Sequence, residues 1–106
     1  MRSLSGFDQP VRDFLAYVQV EAGLAAATLS AYTSDLAGMV HFLEERGVRS
    51  PADVDPRDLA EHVQFLHRER GLQPSSIARH LSTMRMFFRF LEGSARIEAN
   101  PTAPLS

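Results

Sequence analysis

The sequence contains no cysteine, no tryptophan and no lysine, and no long apolar run. Without cysteine there is no disulfide and no thiolate metal site, which fits a reducing compartment. Because no stretch reaches about 18 apolar residues, we predict no membrane span. The amino-terminal residues Met1–Gly6 also lack the apolar core of a secretory signal. With 106 residues, 44% of them hydrophobic, the sequence predicts one small cytoplasmic domain.

The missing lysine means that all 11 basic residues are arginine, and they are unevenly distributed. A formal net charge of −2 is the wrong sign for a protein whose whole surface binds nucleic acid. Between Pro74 and Leu91, however, Arg79, Arg85 and Arg89 occur without an acidic residue. Guanidinium groups suit phosphates and guanine edges. A codon bias that also supplies the many alanines explains the arginine usage equally well.

Apolar residues recur at three- and four-residue intervals in four segments, which predicts four helices and no sheet. Asp8 is the expected N-cap of the first, Asp55 and Pro56 mark the start of the third, and glycine is expected to close each one. The predicted segments are Gln9–Ala22, Ala26–Arg46, Pro56 to just before Gly71, and Pro74–Glu92, with Gly93 after the last. We therefore predict an all-α, compact four-helix bundle over residues 9–92, with a tail at 1–8 and a linker at 93–106.

No catalytic or metal-binding constellation is evident. The histidines at positions 41, 62, 67 and 80 have no cysteine partners and no His-Glu-x-x-His spacing. Ser75 and Ser76 lack a nearby base, and no glycine-rich phosphate loop is present. We expect no enzyme activity, no cofactor and no metal in this chain.

The fourth predicted helix separates an apolar face from a polar one at about 100° per residue. The apolar face is Ile77, Leu81, Met84, Phe88 and Leu91. The opposite face is Arg79, Ser82, Thr83, Met86 and Arg89, with Arg85 on the flank and His80 at the core edge. Such a helix fits the major groove of DNA, although the same side chains could simply face solvent. Met86 and Phe90 on the outward side indicate contact with another surface.

Three segments together resemble one family. Gly23-Leu24, then Thr28-Leu29-x-x-Tyr32-x-x-Asp35-Leu36 and Phe42-Leu43, resembles the second helix of the Xer and phage-integrase type tyrosine recombinases. A second motif, from Gly71-Leu72 through Ser76-Ile77-x-Arg79-x-Leu81-Ser82-x-x-Arg85 to Phe90-Leu91, resembles their fourth helix. Asn100-Pro101 matches the dipeptide before their interdomain linker. The resemblance covers about Phe7–Leu105.

The resemblance implies a SAM-like core-binding domain whose second and fourth helices approach the major groove of a recombination site. Carried over by position, the implied DNA contacts are Thr28, Tyr32, Arg79, Ser82 and Arg85, to which the helical wheel adds Thr83 and Arg89. The implied partners are double-stranded DNA and further recombinase subunits, with the isolated chain monomeric. The family's catalytic residues lie in a following domain, so the chain is expected to stop before them.

Two departures and one alternative accompany this interpretation. Ala27 stands where many relatives have asparagine, and Thr33 and Ser34 stand where basic residues are common, which weakens phosphate binding by the second helix. The ring of Tyr32 lies in the apolar stripe, with its hydroxyl at the rim. The alternative function is a helical protein–protein interaction domain, which the negative net charge and the outward Met86 and Phe90 favour.

Overall fold

The computed structural model describes residues 5–105, and these form four α-helices joined by short connections. The helices are α1 (Asp8–Glu21), α2 (Ala26–Glu45), α3 (Pro56–Arg68) and α4 (Pro74–Gly93), with a 3₁₀ turn at Pro51–Asp53. The described residues contain no strand, so the predicted all-α bundle is confirmed. The first four residues of the predicted tail, and Ser106 of the predicted linker, lie outside the described residues.

The start of α3 follows from its sequence. The Asp55 carboxylate accepts a hydrogen bond from the backbone N–H of Arg57 at 2.8 Å. The Asp58 carboxylate accepts one from the backbone N–H of Asp55 at 2.9 Å, which completes a capping box. Pro56 occupies the first turn, where its missing N–H costs nothing. The predicted beginning of this helix is confirmed.

The start of α1 differs from the prediction, because Phe7 rather than Asp8 is the N-cap residue. The Phe7 ring is fully buried, which ties the beginning of the helix to the core. Ser5 accepts two hydrogen bonds here, its hydroxyl from Phe7 N–H at 3.1 Å and its carbonyl from Asp8 N–H at 3.2 Å. Asp8 is therefore the first helical residue, and its carboxylate makes no cap.

Three of the four predicted glycine ends are confirmed. Gly23, Gly47 and Gly71 have φ angles of 58°, 86° and 60°, the left-handed conformation that glycine adopts without a Cβ penalty. Gly93 instead lies inside α4, and Ala95 takes φ 60° beyond it. The helix continues because Ser94 N–H still donates to the Phe90 carbonyl at 3.0 Å.

Helices α2 and α4 each pack against all three of the other helices, so this pair forms the centre of the bundle. The Phe14 ring of α1 meets the Phe87 ring of α4 edge to face, with centroids 5.6 Å apart. The fully buried apolar residues of the helices are Phe14, Leu36, Met39, Leu43, Leu59, Leu66, Met84, Phe87, Phe88 and Leu91.

The residues after α4 lie against the bundle. Ile97 and Thr102 are 8% and 4% exposed, and Pro101 is buried. The Asn100 side-chain oxygen accepts from both the backbone N–H and the hydroxyl of Thr102, at 2.9 and 2.7 Å. This part of residues 93–106 is thus ordered on the core, while its role as an interdomain linker stays a prediction.

Candidate nucleic-acid interface

The buried face of α4 differs from the predicted apolar face by a rotation of roughly 50° about the helix axis, when successive residues are taken to be about 100° apart. The buried residues of α4 are His80, Thr83, Met84, Phe87, Phe88 and Leu91. Ile77 and Leu81, two residues of the predicted apolar face, are only half-buried. The predicted exposed position of Thr83 is wrong, because its side chain is fully enclosed. The expected core-edge position of His80 is confirmed, at 7% exposure.

The rotation is explained by a carboxylate on α2 that satisfies the buried polar groups of α4. Asp35, 3% exposed, accepts hydrogen bonds from Arg79 Nε at 3.0 Å and Nη2 at 2.6 Å. The Thr83 hydroxyl donates to the same carboxylate at 2.9 Å. His80 Nε2 lies 3.3 Å from Asp35 Oδ1. We call Asp35, Arg79, His80 and Thr83 the Asp35 cluster.

Charge within the Asp35 cluster is nearly balanced. The hydrogen bonds that Arg79 donates to Asp35, and then the negative charge of that carboxylate, raise the pKa of Arg79 above its ordinary value. Burial lowers the pKa of His80 more than the neighbouring carboxylate raises it, so the imidazole is neutral at pH 7. The cluster thus holds one cation and one anion, and the Arg79 side chain is still 46% exposed.

The other two arginines of α4 have no acidic partner within salt-bridge distance among residues 5–105. Arg85 is half-buried and reaches the Leu105 carbonyl at 3.4 Å, which is a weak contact. Arg89 is exposed, as are the short side chains that share its side of the helix, Ser75, Ala78 and Ser82. We call Arg79, Ser82, Arg85 and Arg89 the outward face of α4; it brings four of the seven sequence-predicted contacts together.

Two predicted contacts lie on α2. Thr28 and Tyr32 are both half-buried, and the Tyr32 ring packs against the core cluster as expected. The N-cap residue of α2 is Ala25 and that of α4 is Gln73, and neither makes a side-chain cap hydrogen bond. The first-turn N–H groups of these two helices are therefore not satisfied by a capping side chain, in contrast to α3.

The outward apolar residues of α4 meet α1. The Phe90 ring lies 4.9 Å from the Tyr17 ring and 5.8 Å from the Phe14 ring, centroid to centroid. The guanidinium of Arg96 lies over the Phe90 ring, 5.4 Å from its centroid. Met86 is half-buried beside them, in a groove between α1 and α4. Contacts within the chain thus account for the apolar residues that the helical wheel leaves outside.

Two buried polar residues were not recognised as important from the sequence. Asp35 interrupts the apolar stripe of α2 between Tyr32 and Leu36, and that interruption was the available signal. His62 lies on the apolar side of α3, is 1% exposed, and has a pKa lowered to about 4, chiefly by burial. Its ring lies 6.5 Å from the His80 ring, so it borders the Asp35 cluster from the core side.

Comparison with known proteins assigns this helical bundle to a family. The family model of the phage integrase N-terminal SAM-like domain matches residues 11–93. The chain therefore belongs to that family, and the resemblance noted from its motifs is confirmed. No helix within residues 5–105 has the length and apolar character needed to cross a bilayer.

Its relatives are recombinases. Tyrosine recombinase XerC of Herpetosiphon aurantiacus is 39% identical over 97 residues, which cover 92% of this chain and 31% of that protein. Tyrosine recombinase XerC of Xanthomonas campestris is 38% identical over 95 residues (90% and 29%), and tyrosine recombinase XerD of Bifidobacterium longum is 34% identical over 99 residues (93% and 32%). The chain spans about a third of the length of these relatives. No solved structure matches it.

Proposed function

We propose that this chain is the DNA-binding module of a tyrosine site-specific recombinase and that it binds duplex DNA through α2 and the outward face of α4. One observation carries the proposal: Arg85 and Arg89 extend from α4 without an acidic partner among the described residues. Membership of a recombinase domain family supports it. Its relatives are named tyrosine recombinases, and the proposal takes the reaction class, site-specific recombination, from those names.

An α-helix fits the major groove, which is about 12 Å wide. In the proposed complex Arg85 and Arg89 neutralise phosphates or bind guanine edges, and Ser82 adds a short polar contact. Arg79 contributes the edge of its guanidinium that Asp35 leaves free. Thr83 is buried in the Asp35 cluster and is not included among the proposed contacts.

Helix α2 contributes less in this proposal. The half-buried Tyr32 and Thr28, in the first turn, are the side chains of α2 that remain to bind phosphate in this proposal. The uncapped first turns of α2 and α4 add backbone N–H groups and the positive end of each helix dipole. We expect α4 to supply most of the affinity.

The same proposal assigns no chemistry to this chain. The nucleophile and the catalytic residues of the recombinase would lie in another part of the parent protein. Tyr17 packs on Phe90 and Tyr32 packs on the core, so neither is offered as the nucleophile. Recombinase subunits assembled on the same DNA, in the bacterial cytoplasm, are the expected partners.

Binding of a fluorescent duplex, measured by anisotropy at several salt concentrations, tests the proposal. We expect a dissociation constant of roughly micromolar or weaker, because three or four phosphate contacts give affinity in the range of non-specific binding. Replacing Arg85 and Arg89 by alanine should weaken binding about tenfold and lower the log–log salt slope by up to about 2, since each phosphate contact contributes about 0.9.

The matched control is Arg12→Ala with Arg49→Ala, which removes the same charge from exposed positions outside α2 and α4. This pair should leave the affinity within about twofold, because long-range charge alone is largely screened at moderate salt. Binding that does not respond to salt, or an equal loss in both double variants, would refute DNA binding by the outward face of α4.

A protein partner remains the second candidate, and one surface favours it. Tyr17 and Val20 of α1 are 48% and 77% exposed, and Tyr17 borders the groove between α1 and α4. Chemical-shift mapping separates the two functions. Duplex DNA should shift resonances around Arg79 and Arg85, which do not line this groove, whereas a protein ligand on the groove should shift those around Tyr17 and Met86.

A further inference from the structure

Asp35 is the most enclosed carboxylate among the described residues, and its surroundings are made from α4. It receives two hydrogen bonds from Arg79 and one from Thr83, and His80 lies 3.3 Å away. Burying a carboxylate costs free energy unless it is paired and hydrogen-bonded. A leucine at this position would continue the apolar stripe of α2 without that cost, so packing alone does not account for the aspartate.

The geometry of the pair is asymmetric. The Asp35 side chain is 2% exposed, whereas the Arg79 side chain is 46% exposed. The carboxylate binds Nε and one terminal nitrogen, Nη2, of the guanidinium. The other terminal nitrogen, Nη1, has no protein acceptor among the described residues, so its two N–H groups are free to bind a ligand. Asp35 holds the guanidinium by its other edge, through Nε and Nη2. A side chain fixed in this way loses less conformational entropy when it binds an anion.

Thr83 gives the carboxylate a further hydrogen bond from α4. Its hydroxyl lies 2.9 Å from Asp35 Oδ2, the oxygen that also accepts from Arg79 Nε, and 3.0 Å from the Arg79 carbonyl. The three residues therefore form one network anchored in the backbone of α4. Removing any member loosens the other two.

We propose that Asp35 is a positioning residue for DNA binding: it holds the Arg79 guanidinium so that its free edge faces a phosphate of the bound duplex. The inference rests on the proposed function of the outward face of α4. It goes beyond that function by assigning a role to an acidic residue that does not touch the DNA.

Charge and positioning predict opposite effects when the carboxylate is removed. Asp35→Asn changes the formal net charge from −2 to −1 and frees Arg79 from its counter-ion. If only charge matters, DNA binding becomes tighter. If orientation matters, binding becomes weaker despite the more positive domain, because Arg79 must be ordered by the DNA itself.

The experiment measures duplex binding of the 106-residue chain and its variants by anisotropy, with circular dichroism as the check on folding. We expect Asp35→Asn to bind about fivefold more weakly, a partial loss of one charge-assisted contact. The control Glu44→Gln removes the same charge from an exposed position on the same helix and should bind as tightly as the unmodified chain or slightly more so. Equal or tighter binding by folded Asp35→Asn overturns the inference.

A second variant covers the case in which Asp35→Asn does not fold. Thr83→Val keeps all charges and nearly the same shape, and removes only the hydroxyl from the network. We expect about threefold weaker binding and faster solvent exchange of the Arg79 Nε–H, measured by ¹⁵N NMR without DNA. Unchanged affinity together with unchanged exchange overturns the positioning role.

Failure of the inference differs from failure of the function on which it rests. If the unmodified chain does not bind duplex DNA at low salt, the proposed function falls and the positioning role falls with it. If the chain binds and loses affinity on Arg85→Ala with Arg89→Ala, but not on Asp35→Asn or Thr83→Val, only the positioning role is refuted.

Discussion

The imidazole of His62 makes the stability of this bundle depend on pH. Its ring is 1% exposed and lies 5.0 Å from the Phe42 ring and 6.4 Å from the Phe65 ring, centroid to centroid. Neither ring nitrogen has a hydrogen-bonding partner within the described part of the chain. Burial, with smaller contributions from His80 and Arg70, lowers the pKa to about 4 from an ordinary 6.5. The native state therefore keeps this ring neutral at a pH where the unfolded chain protonates it.

The size of the effect follows from the two pKa values. Because the folded value is the lower one, the contribution is fully present above pH 6.5 and is lost as the pH falls toward 4. Between pH 7 and pH 5 the free energy of unfolding should fall by about 2 kcal/mol through this residue alone. The lowered pKa of His80 acts in the same direction.

Urea unfolding at pH 7 and pH 5 measures this difference directly. His62→Leu removes the titrating ring, so the pH dependence should shrink by about 2 kcal/mol. At pH 7 the variant should be at least as stable as the unmodified chain, because an unsatisfied buried polar group costs about 1 kcal/mol or more. His67→Gln is the control: this ring is exposed, so its replacement should leave the difference between the two pH values intact. If His62→Leu and the unmodified chain lose the same free energy, the buried ring is not held neutral and the reasoning fails.

Two further variants test the fold. Asp55→Ala should cost about 1 kcal/mol of unfolding free energy, because it removes the capping box of α3; an unchanged urea midpoint would contradict this. Ile97→Ala should cost about 2 kcal/mol if the segment after α4 is part of the core, whereas Glu98→Ala beside it should stay within about 0.5 kcal/mol. Equal effects of these two would mean that the segment does not stabilise the bundle.

Features that depend on neighbouring residues were predictable from the sequence. The Asp55-Pro56 start of α3 and the glycine ends after α1, α2 and α3 are local, because side chain and backbone meet within one turn. Two local signals were wrong by one residue: Phe7 rather than Asp8 is the N-cap of α1, and Gly93 is the last residue of α4 rather than the first one after it. The end of α4, for example, depends on a Ser94 hydrogen bond rather than on Gly93.

The orientation of α4 was not predictable in the same way. A helical wheel based on the apolar residues alone places Thr83 and Arg79 together on the exposed side of α4. Nothing near Thr83 in the sequence indicates that it donates to a carboxylate 48 residues earlier. Only the packing of α2 against α4 brings Asp35 to them and turns Thr83 inward. The arginines of the outward face point away from the core in both the prediction and the structure. They lie so far from the buried face that rotating it by about 50° leaves them outside it.

The short exposed side chains between the arginines of α4 have an evolutionary consequence. Ser75, Ala78 and Ser82 contribute nothing to the core, so substitutions there leave folding largely untouched. If α4 occupies the major groove, these positions can diverge between lineages, and with them the preferred base pairs, while the scaffold beneath stays the same. They are the natural positions to randomise in a library that selects for a new target site.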